Sequence, residues 1–341
     1  MIQSINIERL RGIREGELNL TPLTILVGSN GSGKSTVLEA LYIGAHKNPA
    51  LAVGEVVTRR KDFPESHKWL FWKEGRDGKA EVTLTAKMGK AVCELTIFNP
   101  SSLAVNVRHP KQNSRSTKPA YYTAFQRSAH GVLETDILDA ENQRFAKDSV
   151  PLFNTVVSGV TLVEPSTPSH YALLKYNENA VNSGVMETTI ELLKEVIPTM
   201  TRLQLSTHNL MPVIHISYPD RSVPVLLAGD GIAALVHTAL QINAQEGGVA
   251  LIEEPEVHQH YRTMSLTARV IWAAIRRGIQ IILTTHSLEF IDTILQEKPE
   301  DVSEETLTLV RTSLIKGKLL TVSYSGDDVE FARESFGEEL R

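Results

Sequence analysis

The chain has 341 residues, 42% apolar and 22% charged, with 35 Lys and Arg against 40 Asp and Glu and a formal net charge of -5. These proportions are those of a folded globular chain and exclude disordered and fibrous architectures, while the length allows one large or two ordinary domains. A single cysteine, Cys93, excludes an intramolecular disulfide and a cysteine-based zinc site and fits a reducing, cytoplasmic setting.

In chain order, Ile5 and Ile7 alternate with polar residues, Gly12 and Gly16 punctuate, and Leu18 and Leu20 alternate again. This pattern predicts strands at the N-terminus, with no apolar signal core. Leu23-Thr24-Ile25-Leu26-Val27 is a run of the kind buried on both faces of a sheet, and after a glycine-rich loop Leu38, Leu41, Tyr42 and Ala45 mark one helical face. Val82, Leu84 and Ala86, then Val92, Leu95 and Ile97 across Gly89, predict a hairpin on an antiparallel edge. From Pro100 to about Gly184 the periodicity is poor. Between Glu94 and Glu134 there is no acid, yet Arg108, Lys111, Arg115, Lys118 and Arg127 fall there with His109 and His130. Two readings stand for this segment: a solvated loop, or a local contact for DNA or RNA in a chain whose net charge gives no global attraction.

Regular patterning resumes with a helix over Met186 to Ile197, stopped by Pro198, and the alternating Ile214, Ile216 and Tyr218. The longest apolar stretch, Val223 to Leu240, is broken by Pro224, Asp230 and His237, so no membrane span is expected. A helix carrying Ile232, Leu235, Val236 and Ala239 precedes the buried strand Val249-Ala250-Leu251-Ile252. A helix ending at Arg276-Arg277-Gly278 and a strand from Ile279 to Thr284 follow. This alternation predicts an α/β fold with parallel βαβ units. There are no repeats or sustained heptads, which excludes a long coiled coil, and the acidic stretch from Asp327 reads as a solvated terminus.

Gly28-Ser29-Asn30-Gly31-Ser32-Gly33-Lys34-Ser35-Thr36 satisfies G-x-x-x-x-G-K-[ST] between a buried strand and an amphipathic helix. Glycines let successive N–H groups curl toward phosphate oxygens, and the helix N-terminus adds its positive end. Asn30, Gly31, Ser32, Gly33, Lys34, Ser35 and Thr36 are therefore assigned to a nucleoside triphosphate, which the resemblance given below implies is ATP. Lys34 reaches the β- and γ-phosphates and the Ser35 hydroxyl ligates Mg²⁺. Glu253 and Glu254 stand at the carboxyl end of the strand beginning at Val249, where open α/β sheets bind ligands. Alternation along the strand separates the two carboxylates: Glu253 suits Mg²⁺ through its water shell, and Glu254 suits the water that attacks the γ-phosphate.

The combination resembles the ABC-type ATPases, within them the group of RecF, the SMC proteins and the OLD-like ATPases. Leu10-Arg11-Gly12-Ile13 followed by the phosphate loop is similar to the opening of that group, which brings Arg11 into the expected nucleotide-binding set. Glu254-Pro255-Glu256-Val257-His258-Gln259-His260 resembles the E-P-E-x-H-L-H-P text of OLD-like members, with Gln259 and Tyr261 in place of its Leu and Pro. Leu283-Thr284-Thr285-His286-Ser287 resembles the switch-histidine segment and implies that His286 approaches the γ-phosphate. Ala228-Gly229-Asp230-Gly231-Ile232 stands where the signature should, with Gly229 where transporters carry serine; the competing reading is a simple turn before a core helix. In the first reading Gly229, Asp230 and Gly231 meet the γ-phosphate of a second copy. Gln126 is a candidate for the glutamine that senses Mg²⁺, by its position along the chain. His258 and His260 are read as part of the loop meeting the opposite subunit.

The resemblance covers residues 1 to about 48 and 200 to 325. It implies a mostly parallel core sheet with an antiparallel edge sheet and an inserted, partly helical lobe. The expected division is an N-terminal part (1–98), a variable lobe (99–200) and a C-terminal part (201–341). The expected activity is Mg²⁺-dependent ATP hydrolysis in a head-to-tail dimer, coupled to DNA or to a separate effector or nuclease chain in DNA repair or anti-phage defence. A nucleotide-gated scaffold with little turnover is the alternative. A membrane-transporter subunit is disfavoured by the glycine-type signature and the E-P-E-x-H text. With about fifty-five residues after His286, a fused nuclease is not expected.

Overall fold

The computed structural model describes residues 1–59, 66–72, 78–86, 89–99, 102–108, 121–127, 133–139, 144–145, 157–164, 169–182, 184–208, 211–243, 247–257, 259–326 and 328–329. They begin with β1 (Ile2–Leu10), β2 (Ile13–Asn19), β3 (Leu23–Val27), α1 (Lys34–Ala45) and α2 (Pro49–Thr58). Six strands follow: β4 (Lys79–Ala86), β5 (Gly89–Asn99), β6 (Ser102–Arg108), β7 (Tyr121–Arg127), β8 (Leu133–Asp139) and β9 (Arg144–Phe145). Next come β10 (Val160–Val163), α3 (His170–Asn182), α4 (Met186–Val196), β11 (Arg202–His208), β12 (Met211–Ser217) and β13 (Ser222–Pro224). The remainder comprises α5 (Asp230–Asn243), β14 (Val249–Glu253), α6 (Tyr261–Arg276), β15 (Gln280–Thr284), α7 (Leu288–Gln296), β16 (Leu307–Ile315) and β17 (Lys318–Ser325). No described helix is long and apolar enough to cross a membrane.

The chain divides into two compact units, one of Met1–Thr21, Gly28–Val160 and Val310–Ser323, the other of Pro22–Val27, Thr161–Leu309 and Tyr324–Arg341. In the first unit the strand order is β17-β2-β1-β4-β5-β6-β7-β8-β9. From β2 to β9 neighbouring strands are antiparallel, and Ile5 of β1 faces Leu18 on one side and Leu84 on the other. The hairpin expected around Gly89 is present, with Gly89 at φ 136°, but it lies inside the sheet because β5 pairs onward with β6. Helix α1 packs on this sheet, and the approach is close at Gly44, where a Cβ would lie 3.0 Å from the Val82 side chain. Helix α2 lies over β7, where the Thr123 hydroxyl donates to the Ala50 carbonyl at 2.7 Å.

Strand β6, just beyond Pro100, was not visible as a pattern for a physical reason. Leu103, Ala104 and Val105 of β6 are all buried, so both faces are covered and no alternation is left to read.

The second unit holds the parallel run β14-β15-β3, with Leu251 beside Ile282 and Leu283 beside Ile25. Every residue of β3 and β15 is buried, the polar Thr24, Gln280 and Thr284 included. Helices α5, α6 and α7 build its core. Trp272 is fully buried and its indole N–H donates to the Ile294 carbonyl at 2.8 Å, joining α6 to α7. Helices α3 and α4 pack on α5, and β11-β12-β13 form a separate antiparallel sheet. His237 of α5 is a core residue: its Nε2 lies 2.7 Å from the Gln241 amide, its ring meets Tyr176 edge-on, and burial pushes its pKa down to about 4.

Candidate active site

The phosphate loop begins where β3 ends. Gly28, Gly31 and Gly33 have φ of 141°, 79° and 99°, values that leave the loop its tight curl and that residues with a Cβ rarely adopt. Gly33 is the N-cap of α1, and no side chain caps that helix, so its first-turn N–H groups face the loop as an anion site needs them. Ser29, Asn30 and Gly31 form the exposed tip, Ser32 and Lys34 are buried, and Ser35 and Thr36 are partly exposed. The Lys34 ammonium folds back over the loop, donating to the carbonyls of Gly28 at 2.7 Å and Ser29 at 3.1 Å. The donor set, a cation and helix N-terminal amides, fits a polyphosphate, and the Ser35 hydroxyl is of the kind that ligates Mg²⁺.

A residue far away in sequence braces this loop. Thr312 of β16 shares a hydrogen bond with the Ser32 hydroxyl at 2.9 Å, and a Cβ on Gly28 would lie 2.4 Å from the Thr312 carbonyl oxygen. Gly28→Ala therefore combines a forbidden φ with a backbone clash and is expected to lower stability by about 2–5 kcal/mol. Gly31→Ala, where a Cβ meets nothing within 4 Å, carries only the left-handed strain, about 1–2 kcal/mol. Urea unfolding of the two variants checks the difference.

Arg11, at φ 47°, is engaged within the protein. Its Nη2 donates to Glu39 Oε1 at 3.2 Å and its Nε faces Glu39 Oε2; Glu39 is a buried carboxylate on α1. The pair ties the β1–β2 turn to the helix that starts at the phosphate loop. Gln126 lies on β7 opposite Glu134 of β8, and its side chain is outside the described residues. Arg108 and Arg127 are at the ends of β6 and β7, their side chains likewise outside, as are Lys111, Arg115 and Lys118 altogether.

In the second unit Glu253 is the last residue of β14, paired with Thr284 of β15. Glu254 leaves the strand in the left-handed region, φ 42°, with its N–H donating to the Thr284 carbonyl at 3.0 Å. The two carboxylates thus diverge through a strained turn as well as through strand alternation, and such strain persists where the surroundings enforce it. The turn brings Glu254 Oε1 to 3.4 Å from His286 Nε2, and each side chain is about one-third exposed, 34% and 35%. Glu256, to which the motif reading gave no role, reaches the same segment: its Oε1 accepts from the Thr285 hydroxyl at 2.6 Å and from the His286 N–H at 3.1 Å. The E-P-E spacing was the available signal.

Helix α5 starts at Asp230, after Gly229 at φ 98°, as both readings of this segment require. Gly231 is held close to α6, where a Cβ would lie 3.0 Å from the Thr263 hydroxyl. His260 caps α6 by accepting from the Arg262 N–H at 3.4 Å, and His258 is outside the described residues.

A strand running into G-x-x-x-x-G-K-S and then a helix, with a parallel strand that ends in paired acids facing a histidine on its neighbour, defines a P-loop ATPase fold of the ABC/AAA type. Residues 1–150 match the family described as "AAA ATPase domain", and residues 216–292 match "AAA domain, putative AbiEii toxin, Type IV TA system". An "ATP/GTP phosphatase" of Helicobacter pylori is 22% identical over 342 residues, covering 87% of this chain and 89% of that protein. "DNA replication and repair protein RecF" of Enterobacter sp. is 32% identical over 109 residues, which are 28% of this chain and 30% of RecF. The SMC head bound to the C-winged helix domain of ScpA has a similar fold at TM-score 0.56 and 13% identity, covering 97% of this chain and 99% of that one. An SMC head from Pyrococcus furiosus, with an extended coiled coil and bound to the C-terminal domain of ScpA, gives 0.52 at 12%, covering 99% of each. The chain accordingly has a P-loop ATPase fold of the ABC/AAA type, similar to RecF over part of its length and to SMC heads in fold.

Proposed function

We propose that this chain hydrolyses ATP, with Mg²⁺, between two copies arranged head to tail. The observation that carries the reading is Glu254, held in a strained turn with its carboxylate facing the His286 imidazole at 3.4 Å. A carboxylate in this setting orients a water and takes its proton as the water attacks the γ-phosphate, giving ADP and phosphate. Asn30 to Thr36 hold the phosphates, with Lys34 as the cation and Arg11 in a supporting place. Ser35, Glu253 and Gln126 serve the Mg²⁺ site, and His286 contacts the γ-phosphate. Gly229, Asp230 and Gly231 supply the N-terminus of α5 to the nucleotide of the second copy. The name of the Helicobacter relative and the match to RecF support this chemistry and a DNA-linked role.

In this reading the protein works in the cytoplasm, without a membrane, and passes closure and opening to a separate effector or nuclease chain in DNA repair or anti-phage defence. Arg108, Lys111, Arg115, Lys118 and Arg127 offer the DNA contact. Single-turnover phosphate release, with and without double-stranded DNA, tests the proposal: Mg²⁺-dependent release is expected, faster when DNA is added. Tight ATP binding with no release in either condition would replace hydrolysis by a nucleotide-gated scaffold. If DNA binds, affinity falling steeply with salt marks phosphate contacts.

A further inference from the structure

We propose that Glu256 is a positioning residue for the switch histidine: it fixes the backbone of His286 so that the imidazole stands against Glu254. The inference rests on the ATPase reading of this site and adds a residue to it. Glu254 and Glu256 project from one turn and hold the segment after β15 at two places. Glu254 faces the His286 ring at 3.4 Å, and Glu256 Oε1 takes the His286 backbone N–H at 3.1 Å.

The second bond to the same oxygen explains how the grip is made rigid. Thr285 is fully buried, its N–H is fixed on the Leu26 carbonyl of β3 at 3.1 Å, and its hydroxyl has one hydrogen to give. That hydrogen goes to Glu256 at 2.6 Å, the length of a hydroxyl on a carboxylate. The same hydroxyl oxygen accepts the Ser287 N–H at 2.9 Å, and Ser287 caps α7 through the Phe290 N–H at 3.1 Å. Glu256 is thereby linked through Thr285 to the start of α7, with His286 between them. The other carboxylate oxygen of Glu256 is buried without a hydrogen-bond partner among the described residues. A carboxylate kept there at a desolvation cost, when its visible work is on the histidine segment, fits a residue retained for the site.

The chemistry needs this because the ring must meet a developing phosphate charge within a narrow tolerance, and a displacement of about 1 Å costs on the order of a hundredfold. Glu256→Ala is expected to lower the single-turnover rate about 10–100-fold while the Kd for ATP, read by fluorescent-nucleotide titration, moves less than about twofold. Glu256→Gln keeps an acceptor in the same place and is expected to retain about a third or more of the rate. In a His286→Ala background, Glu256→Ala should add less than about a twofold loss, since its effect passes through the histidine. Thr285→Val should follow Glu256→Ala and Thr285→Ser should restore the rate, which covers the case in which Glu256→Ala folds poorly.

Hydrogen exchange at the His286 amide gives a readout without turnover: Glu256→Ala should accelerate it about tenfold or more in the absence of nucleotide. Unchanged exchange, equal losses in Glu256→Gln and Glu256→Ala, or a full independent loss in the His286→Ala background would each overturn the proposal. A wild-type protein without turnover would sink the ATPase reading alone, since the exchange experiment still decides the role of Glu256.

Discussion

Replacing Glu254 by Gln is expected to slow single-turnover ATP hydrolysis by about 10²–10⁴-fold, the range of a lost general base, while leaving ATP binding intact. The amide has the shape of the carboxylate, so the packing of the turn survives, but it cannot take a proton from water. The bonds to Thr284 are donated by the Glu254 backbone N–H, so the substitution leaves them in place. The His286 imidazole, whose Nε2 lies 3.4 Å from Glu254 Oε1, then faces an amide in place of a carboxylate. Phosphate release after rapid mixing and nucleotide titration separate the two effects: a parallel fall in affinity and rate would show that Glu254 serves binding and not the chemical step.

Lys34→Ala carries the other large effect, and it falls on binding. The ammonium is buried and oriented by the Gly28 and Ser29 carbonyls, so it reaches a phosphate with its direction set in advance. Removing one partner of a buried, hydrogen-bonded charge pair costs about 2–5 kcal/mol, which is about 30-fold to several-thousand-fold in Kd. Calorimetric titration with Mg-ATP reads it directly. The variant leaves the buried Gly28 carbonyl and the Ser29 carbonyl at the exposed tip without this donor, a cost of about 1–3 kcal/mol in stability; binding within about threefold of wild type would remove Lys34 from the phosphate site.

Much of the fold could be read before any coordinates because the relevant text is strong. β3, β14 and β15 are short buried runs flanked by helices, and the phosphate loop lies between β3 and α1. Strand β6 escaped because burial on both faces erases alternation, as Leu103, Ala104 and Val105 show. The site divides in the same way. Lys34, Ser35, Glu253, Glu254 and His286 are announced by local motifs. The partnership of Arg11 with Glu39, the brace from Thr312 to Ser32 and the reach of Glu256 to His286 join residues 28, 280 and 30 positions apart, and no local pattern encodes such pairs. The left-handed turn at Glu254 was equally silent, since Glu is not a residue that advertises a positive φ.

The proposed nucleotide-driven pairing of two copies is tested most directly by the solution mass of Glu254→Gln in saturating Mg-ATP. Light scattering should report twice the 37.7 kDa of one chain with ATP and a single chain without it, and Lys34→Ala should stay single in both. A Glu254→Gln protein that binds ATP stoichiometrically and remains at 37.7 kDa would contradict the account.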